Sequence, residues 1–269
     1  MTAWRAYVGA DDYQLSQWLH NMRIPLESYA EPILDHNAVE FIHLVCTTLN
    51  EDRHVFVMSV DVLESYIAVN NQRRVKIEDQ IITVEVIAFI CGKWCGEKSE
   101  QKIDNLKILY ERLTEKTITH NQIRTVEREI MMALNMKLPL HSQLDDLKQF
   151  VYVFMQTVGL KIDLVEFCAQ IFDVVYIHRK ELFYRMKSEF VSRCRLDLFE
   201  KIVTNKFFLI GSVLICAFRL TKLENFFDVH IKTVHISKIS MLAVSDVKQI
   251  AEYIYELVKI HWVSVEFVL

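Results

Sequence analysis

Glycine and proline are scarce in this chain, which has 5 Gly and 3 Pro in 269 residues. An all-β protein needs many tight turns, and α/β folds also use more glycine than this. The hydrophobic fraction of 52% excludes wholesale disorder and is enough for a large core. The composition therefore predicts an all-α protein of long helices joined by short polar connections.

Motifs of catalysis and metal binding are also missing. There is no glycine-rich phosphate loop, no nucleophile elbow and no Ser/His/Asp arrangement. Cys91 and Cys95 lie one helical turn apart, but no second Cys or His pair follows at the spacing of a zinc site. The cysteines stand singly inside apolar runs, as reduced thiols in a core do: Cys46, Cys91, Cys95, Cys168, Cys194 and Cys216. We expect no catalytic residues, no metal and no cofactor.

Neither a basic surface nor a membrane segment is indicated. Residues 1–138 have 15 Lys/Arg and 20 Asp/Glu, and residues 139–269 have 16 and 15. Nucleic-acid binding requires clustered basic residues, so direct nucleic-acid contact is not expected. The uncharged apolar run 207–218 is too short to cross a bilayer, and residues 1–14 lack a signal-peptide layout. These patterns predict a soluble intracellular protein without a membrane partner.

Apolar residues recur at helical spacing along the chain. They predict helices at 12–22, 37–49, 53–70, 80–94, 103–113 and 119–136, then at 141–158, 162–188, 190–203, 206–223 and 244–261. Thr119 and Gln122 fit a capping box. The 80–94 helix is apolar on every face, so other helices must surround it. We predict a helix and linker at 1–35, a five-helix unit at 36–138 and a second helical unit at 139–269.

The two halves show a weak internal repeat. A shift of 125 residues places 89–91 over 214–216 and Glu127 over Glu252. Phe218 then stands where the first half has Lys93. The repeat predicts that only the first unit keeps a lysine at this position.

Three segments resemble helices of the cyclin box, in the same order and at matching separations. Residues 59–67 (SVDVLESYI) are similar to its second helix, 88–97 (AFICGKWCGE) to its third and 126–136 (VEREIMMALNM) to its fifth. The chain therefore resembles the cyclin family, which implies two successive five-helix cyclin-box-like units. Outside the box, 31–33, 138–140 and 251–255 are similar to the cyclin N-terminal-domain-containing protein 1 family, meiotic cyclin-like proteins that promote crossover maturation.

The resemblance implies a function and a site. Lys93 and Glu127 match the residues that grip a cyclin-dependent kinase, and Trp94 and Met131 are candidate apolar anchors beside them. The implied protein is a non-catalytic regulatory subunit on meiotic chromosomes in the nucleus, with meiotic recombination proteins as further partners. Considered as isolated residues, Lys93 would only complete a helix C-terminus, and Glu127 would lie on a solvated face.

Several positions depart from the family pattern. Asn37 and Glu64 replace an Arg and an Asp that form a buried ion pair, so Glu64 must shift outward or find another partner. Glu40 and His43 replace apolar residues and should remove the surface that docks Arg-x-Leu substrates. Two alternatives therefore stay open. One is a kinase-independent scaffold for recombination factors. The other is a transcription-factor-like pair of cyclin folds on DNA, which the acidic first half disfavours.

Overall fold

The computed structural model describes residues 12–24, 26, 31–95, 100–139, 142–158, 163–192, 195–221 and 229–262. In these residues it contains thirteen helices and no strand, so the predicted all-α class is confirmed. The helices are α1 (Asp12–Arg23), α2 (His36–Thr48), α3 (Arg53–Arg73), α4 (Gln80–Trp94), α5 (Glu100–Thr114), α6 (His120–Ala133), α7 (Gln143–Val158), α8 (Val165–Ile177), α9 (Arg179–Ser192), α10 (Leu196–Val203), α11 (Phe207–Leu220), α12 (Val229–Ser240) and α13 (Val244–His261).

Short polar residues set the start of four helices in the first half. The carboxylates of Asp35, Asp52 and Asp79 accept hydrogen bonds from backbone N–H groups in the first turns of α2, α3 and α4. Such caps satisfy donors that the helix itself leaves unpaired. Thr119 and Gln122 form the predicted capping box at α6. Local sequence therefore fixes where these helices begin.

The chain forms two compact units. The first unit comprises residues 32–148 and 176–181, and the second comprises 1–31, 149–175 and 182–269. In the first unit α4 packs against α2, α3, α5 and α6. Every residue of α4 from Ile82 to Gly92 is buried. The prediction of a fully surrounded helix at 80–94 is confirmed.

In the second unit α11 is the buried helix that other helices surround. All residues from Phe207 to Phe218 are buried, and α11 packs against α12 and α13. The ring of Phe150 lies 5.5 Å from that of Phe207, and the ring of Phe154 lies 5.9 Å from that of Phe218. Large aromatic side chains therefore cover both ends of α11.

The structure corrects the helix predictions between residues 162 and 203. The single helix expected at 162–188 is two helices, α8 and α9, separated at His178. The helix expected at 190–203 begins only at Leu196, and α9 continues to Ser192. The break at His178 accompanies packing of residues 176–181 into the first unit, a long-range contact that local periodicity does not encode. The helix at Val229–Ser240 lies where no helix was assigned.

The compact units have the bounds given above, and the predicted division of the chain into 1–35, 36–138 and 139–269 stays a prediction. Residues 1–11, 25 and 27–30 of the predicted N-terminal helix and linker, and residues 96–99 after α4, lie outside the described residues. In the part of the chain that is described, no single helix is long and apolar enough to span a bilayer. The pair α10 and α11 reaches that length together, with a bend of 83° at the break between them.

Candidate functional site

An ion pair joins the last turn of α4 to α6. Nζ of Lys93 lies 2.5 Å from Oε1 of Glu127, and the two side chains are 39% and 23% exposed. The ammonium group of Lys93 also lies 5.0 Å from the ring centre of Phe89, one turn earlier in α4. The sequence-predicted pair is therefore brought together at the exposed end of a buried helix. In this position the lysine also complements the negative end of the helix dipole.

Apolar side chains next to this pair reach the surface. Trp94, which follows Lys93, is 48% exposed, and Met131 is half-buried. Met132, which sequence reasoning did not select, is 65% exposed. No periodic signal selects it, because Met131, four residues after Glu127, shares the face of Glu127, whereas Met132 lies about 140° away around the helix axis. A partner bound at the ion pair would therefore meet the exposed ring of Trp94 and, on the side of α6, the half-buried Met131.

Glu64 does find another cation, as one of the two predicted outcomes required. Nη2 of Arg179, at the start of α9, lies 2.5 Å from Oε2 of Glu64, and Nη1 lies 3.2 Å from Oδ1 of Asp61. Tyr176 donates a short hydrogen bond to the same Asp61 oxygen. Burial raises the pKa of Asp61, and the charge of Arg179 opposes that rise. The cation beside Glu64 is thus an arginine 115 residues away in sequence.

The same carboxylate fixes the chain before α2. Oε1 of Glu64 accepts hydrogen bonds from the backbone N–H groups of Ile33 and Leu34, at 2.9 and 3.0 Å. Lys180 donates to the carbonyl oxygen of Ile33 at 2.7 Å. The Arg179 region therefore holds both α3 and the entry to α2 within the first unit.

The altered face of α2 is polar and partly buried. Glu40 is exposed, whereas the His43 ring packs edge-on against Phe56 at 4.9 Å between ring centres. Burial lowers the pKa of His43, and the charge of Arg53 lowers it further. This face of α2 therefore presents the carboxylate of Glu40 and the packed ring of His43, whose neutral form is favoured. The absence of Arg-x-Leu docking stays a prediction.

The second unit contains a pair of the same layout, which the sequence alignment placed incorrectly. Phe218 is buried, and the next residue, Arg219, forms a short ion pair with Glu252. Arg219 lies in the last turn of the buried helix α11, and Glu252 lies on α13. The cation is shifted by one residue because the buried side of α11 continues through Phe218. The second unit thus has no lysine at this position, as expected, but the neighbouring Arg219 supplies a cation that the sequence comparison did not indicate.

The described cysteines belong to the core. Cys46, Cys91, Cys168 and Cys216 are buried and Cys95 is half-buried, whereas Cys194 lies outside the described residues. Burial raises the pKa of Cys91 and Cys168 well above the usual value and that of Cys216 to about 12. Thiols with such pKa values stay protonated at neutral pH, and a protonated thiol is neither a nucleophile nor a good metal ligand.

Asp145 has a partner beyond its own helix. Its carboxylate accepts hydrogen bonds from the N–H and hydroxyl of Ser142, each at 2.9 Å, which caps α7. Nδ1 of His54 lies 3.0 Å from Oδ1 of Asp145, and Nζ of Lys148 lies 3.0 Å from Nε2 of the same ring. Ser142 and Asp145 both approach the same nitrogen of His54. The arrangement therefore differs from a catalytic triad, in which the nucleophile and the acid contact opposite ring nitrogens.

The known protein families and the curated proteins add no relative to these observations. No protein-family model matches the chain. No curated protein matches it significantly. Function is therefore argued from the residues of this chain.

Proposed function

We propose that this chain is a non-catalytic, cyclin-like regulatory subunit that binds a cyclin-dependent kinase and promotes the formation and maturation of meiotic crossovers. The proposal interprets the all-helical architecture as the cyclin fold, with two successive five-helix units. Meiotic recombination proteins would be further partners, and the site of action would be meiotic chromosomes in the nucleus. The protein would use no cofactor and would contact neither nucleic acid nor membrane directly.

The observation that carries the proposal is the ion pair between Lys93 and Glu127. It joins the exposed end of a buried helix to a neighbouring amphipathic helix, with Trp94 beside it. Charged groups at an interface mainly fix partner choice and register, and exposed tryptophans often contribute much of the binding energy. These helices would brace a mobile helix of the kinase and so favour its active conformation, which is a population shift.

Co-purification with a panel of cyclin-dependent kinases tests the proposal. The decisive variant combines Lys93→Glu with Glu127→Lys, because the exchange retains an ion pair but reverses both charges. The matched control combines Arg219→Glu with Glu252→Arg, which exchanges the corresponding pair of the second unit. We expect stoichiometric kinase capture by the wild type and the control, and loss of capture in the Lys93/Glu127 variant. A folded wild type that captures no kinase of the panel would overturn the proposal.

The altered α2 face favours a second candidate, a kinase-independent scaffold for recombination factors. Exposed Glu40 and packed His43 leave this face without the apolar groups that recruit Arg-x-Leu substrates. Recruitment of recombination proteins without any kinase, unaffected by the Lys93/Glu127 exchange, would support the scaffold. Kinase capture by the wild type that is lost in the Lys93/Glu127 variant would exclude the scaffold.

A further inference from the structure

A cavity of about 460 Å³ opens between α4, α5 and α6 of the first unit. Its volume lies within the range of roughly 300–1,000 Å³ that is usual for ligand sites. Ile82 of α4, Ile118 before α6 and Val126 of α6 form the apolar part of its wall. The rest of the wall is polar, so the cavity is not a gap in the hydrophobic core. Neither Lys93 nor Glu127 lines it.

Charged groups of both signs line this cavity. Lys116, in the connection between α5 and α6, contributes an ammonium group, and Asp79 and Glu129 contribute carboxylates. No described carboxylate, including these two, lies within ion-pair distance of Lys116. A small molecule placed between the three groups can therefore contact all of them. Because two carboxylates accompany one ammonium group, a ligand of net positive charge complements the cavity.

Asp79 is held in a fixed orientation at the wall of the cavity. Its Oδ1 accepts hydrogen bonds from the backbone N–H groups of Ile81 and Ile82, at 3.1 and 3.2 Å. Its Oδ2 accepts a hydrogen bond from the hydroxyl of Tyr110 at 2.6 Å. A carboxylate has about four lone-pair sites, so these three bonds leave one for a ligand. An acceptor that is already ordered binds a cation with little loss of conformational entropy.

A buried carboxyl group lies close to the same wall. Glu85 is fully buried, and neither of its oxygens has a hydrogen-bond partner in the described part of the chain. Burial, and then the charge of Asp79, raise the pKa of Glu85. The hydrogen bond to Asp79, with a smaller contribution from the charge of Glu85, raises the pKa of Tyr110. The three groups therefore interact electrostatically, and a cation in the cavity would stabilise negative charge on both carboxyl groups.

Asn121 adds a neutral polar group to the wall. Its exposed side chain lines the cavity and makes no hydrogen bond with another described residue. An amide side chain both donates and accepts, so it can bind either a carboxylate or an ammonium group of a ligand. A molecule with one carboxylate, two cationic groups and a short aliphatic chain therefore matches the charged, amide and apolar parts of the wall.

We propose that this cavity binds a small zwitterion of net positive charge, of which the basic α-amino acids are the simplest class. The carboxylate of the ligand contacts Lys116, and its two cationic groups contact Glu129 and Asp79. The aliphatic part of the ligand lies against Ile82 and Val126. The proposal is independent of kinase binding, because it uses neither residue of the ion pair that carries that proposal.

Isothermal titration calorimetry of the purified full-length protein with L-arginine and with L-lysine tests this proposal. The matched ligands are the amides of both amino acids, which lack the carboxylate, and L-citrulline and L-norleucine, which lack the side-chain charge. Glu129→Gln and Lys116→Gln are the decisive variants. Glu111→Gln is the control, because Glu111 is exposed and does not line the cavity. Circular dichroism establishes that the variants are folded.

We expect the wild type and the Glu111→Gln control to bind at least one of the two amino acids saturably. Binding should be at least tenfold weaker to Glu129→Gln, and the wild type should bind the matched ligands at least tenfold more weakly than the parent amino acid. Added salt should weaken binding of the parent amino acid. Lys116→Gln should bind the amino acid and its amide equally, since the ammonium group that distinguishes them is absent.

Three results would overturn the proposal. One is the absence of saturable binding of either amino acid by the folded wild type at millimolar concentration. Another is equal binding by Glu129→Gln and the wild type. The third is a preference for the amino acid over its amide that persists in Lys116→Gln.

Discussion

Arg179 and Glu64 form an ion pair between segments 115 residues apart in the chain, with Nη2 of the arginine 2.5 Å from Oε2 of the glutamate. The side chains are only 13% and 15% exposed. Burial disfavours the charged form of Arg179, but the surrounding Tyr176, Glu64 and Asp61 raise its pKa overall. The pair connects the break between α8 and α9 to α3, so it fixes a feature that no local pattern predicts.

Replacing Arg179 should therefore be costly. Arg179→Ala leaves Glu64 and Asp61 without their cation, and removal of one member of a buried pair typically costs about 3 kcal/mol or more. We expect a loss of roughly this size in the free energy of unfolding, measured by urea denaturation. Lys187→Ala, which breaks the more exposed pair between Lys187 and Glu31, should cost less than about 1 kcal/mol. Equal losses in the two variants would contradict the structural role of Arg179.

Glu85 should make the protein less stable as the pH rises. It is fully buried in α4, and neither carboxylate oxygen has a hydrogen-bond partner in the described part of the chain. Burial, with a smaller contribution from the charge of Asp79, raises the pKa of Glu85 from 4.5 to about 8. The unfolded chain loses this proton near pH 4.5, whereas the folded protein keeps it until about pH 8. Stability therefore decreases through this window.

Glu85→Gln replaces the carboxyl group that causes this effect by an amide, which does not ionise in this pH range. The variant should be more stable than wild type by about 1–3 kcal/mol at pH 8 and nearly equal to it at pH 4.5. Urea denaturation at several pH values measures the difference. Glu129→Gln, at an exposed position of α6, should show no comparable pH dependence. A stability difference that does not change with pH would rule out titration of Glu85 as its cause.

Gly92 permits a close contact inside the first unit. A Cβ atom at this position would lie 2.7 Å from Oε1 and 2.8 Å from Oε2 of Glu51. Although alanine favours helices by about 1 kcal/mol over glycine, the displaced carboxylate should cost more. Because the clashing carboxylate is the end of a flexible side chain, and the helix preference of alanine offsets about 1 of the usual 1–3 kcal/mol of overpacking, we expect Gly92→Ala to lower the free energy of unfolding by at most about 2 kcal/mol. In a Glu51→Ala background, where the clash is absent, the same change should stabilise the protein.

Asp145 should contribute stability that is lost in acid. Burial alone would raise its pKa, but the His54 hydrogen bond and charge, together with Ser142, hold that pKa well below the usual 3.8. A carboxyl group with a lowered folded-state pKa stabilises the protein above its unfolded pKa, and this stabilisation disappears as the pH falls. Asp145→Asn should therefore cost about 1–2 kcal/mol at pH 7 and progressively less towards pH 3. A constant cost between these pH values would show that only the hydrogen bonds matter.

The second ion pair shows both the value and the limit of sequence comparison. A shift of 125 residues places Glu127 over Glu252, and each of these carboxylates pairs with a cation at the end of a buried helix, but the same shift puts Phe218 opposite Lys93. The separation between cation and carboxylate is 34 residues in the first unit and 33 in the second. A one-residue difference in helix phase changes a buried position into an exposed one, since each residue advances about 100° around the axis. Only packing against α13 identifies Arg219 as the partner of Glu252.

The sequence by itself determined the helical class, the buried status of α4 and the capping box of Thr119 and Gln122. These features depend on composition, on apolar periodicity and on short-range hydrogen bonds, all of which are visible within a few residues or one motif. The tertiary structure alone decided the break at His178, the cation for Glu64, the position of Arg219 and the ion pair of Lys93 with Glu127. Each of these depends on contacts between segments distant in sequence, whose energies are set by packing and burial rather than by local pattern.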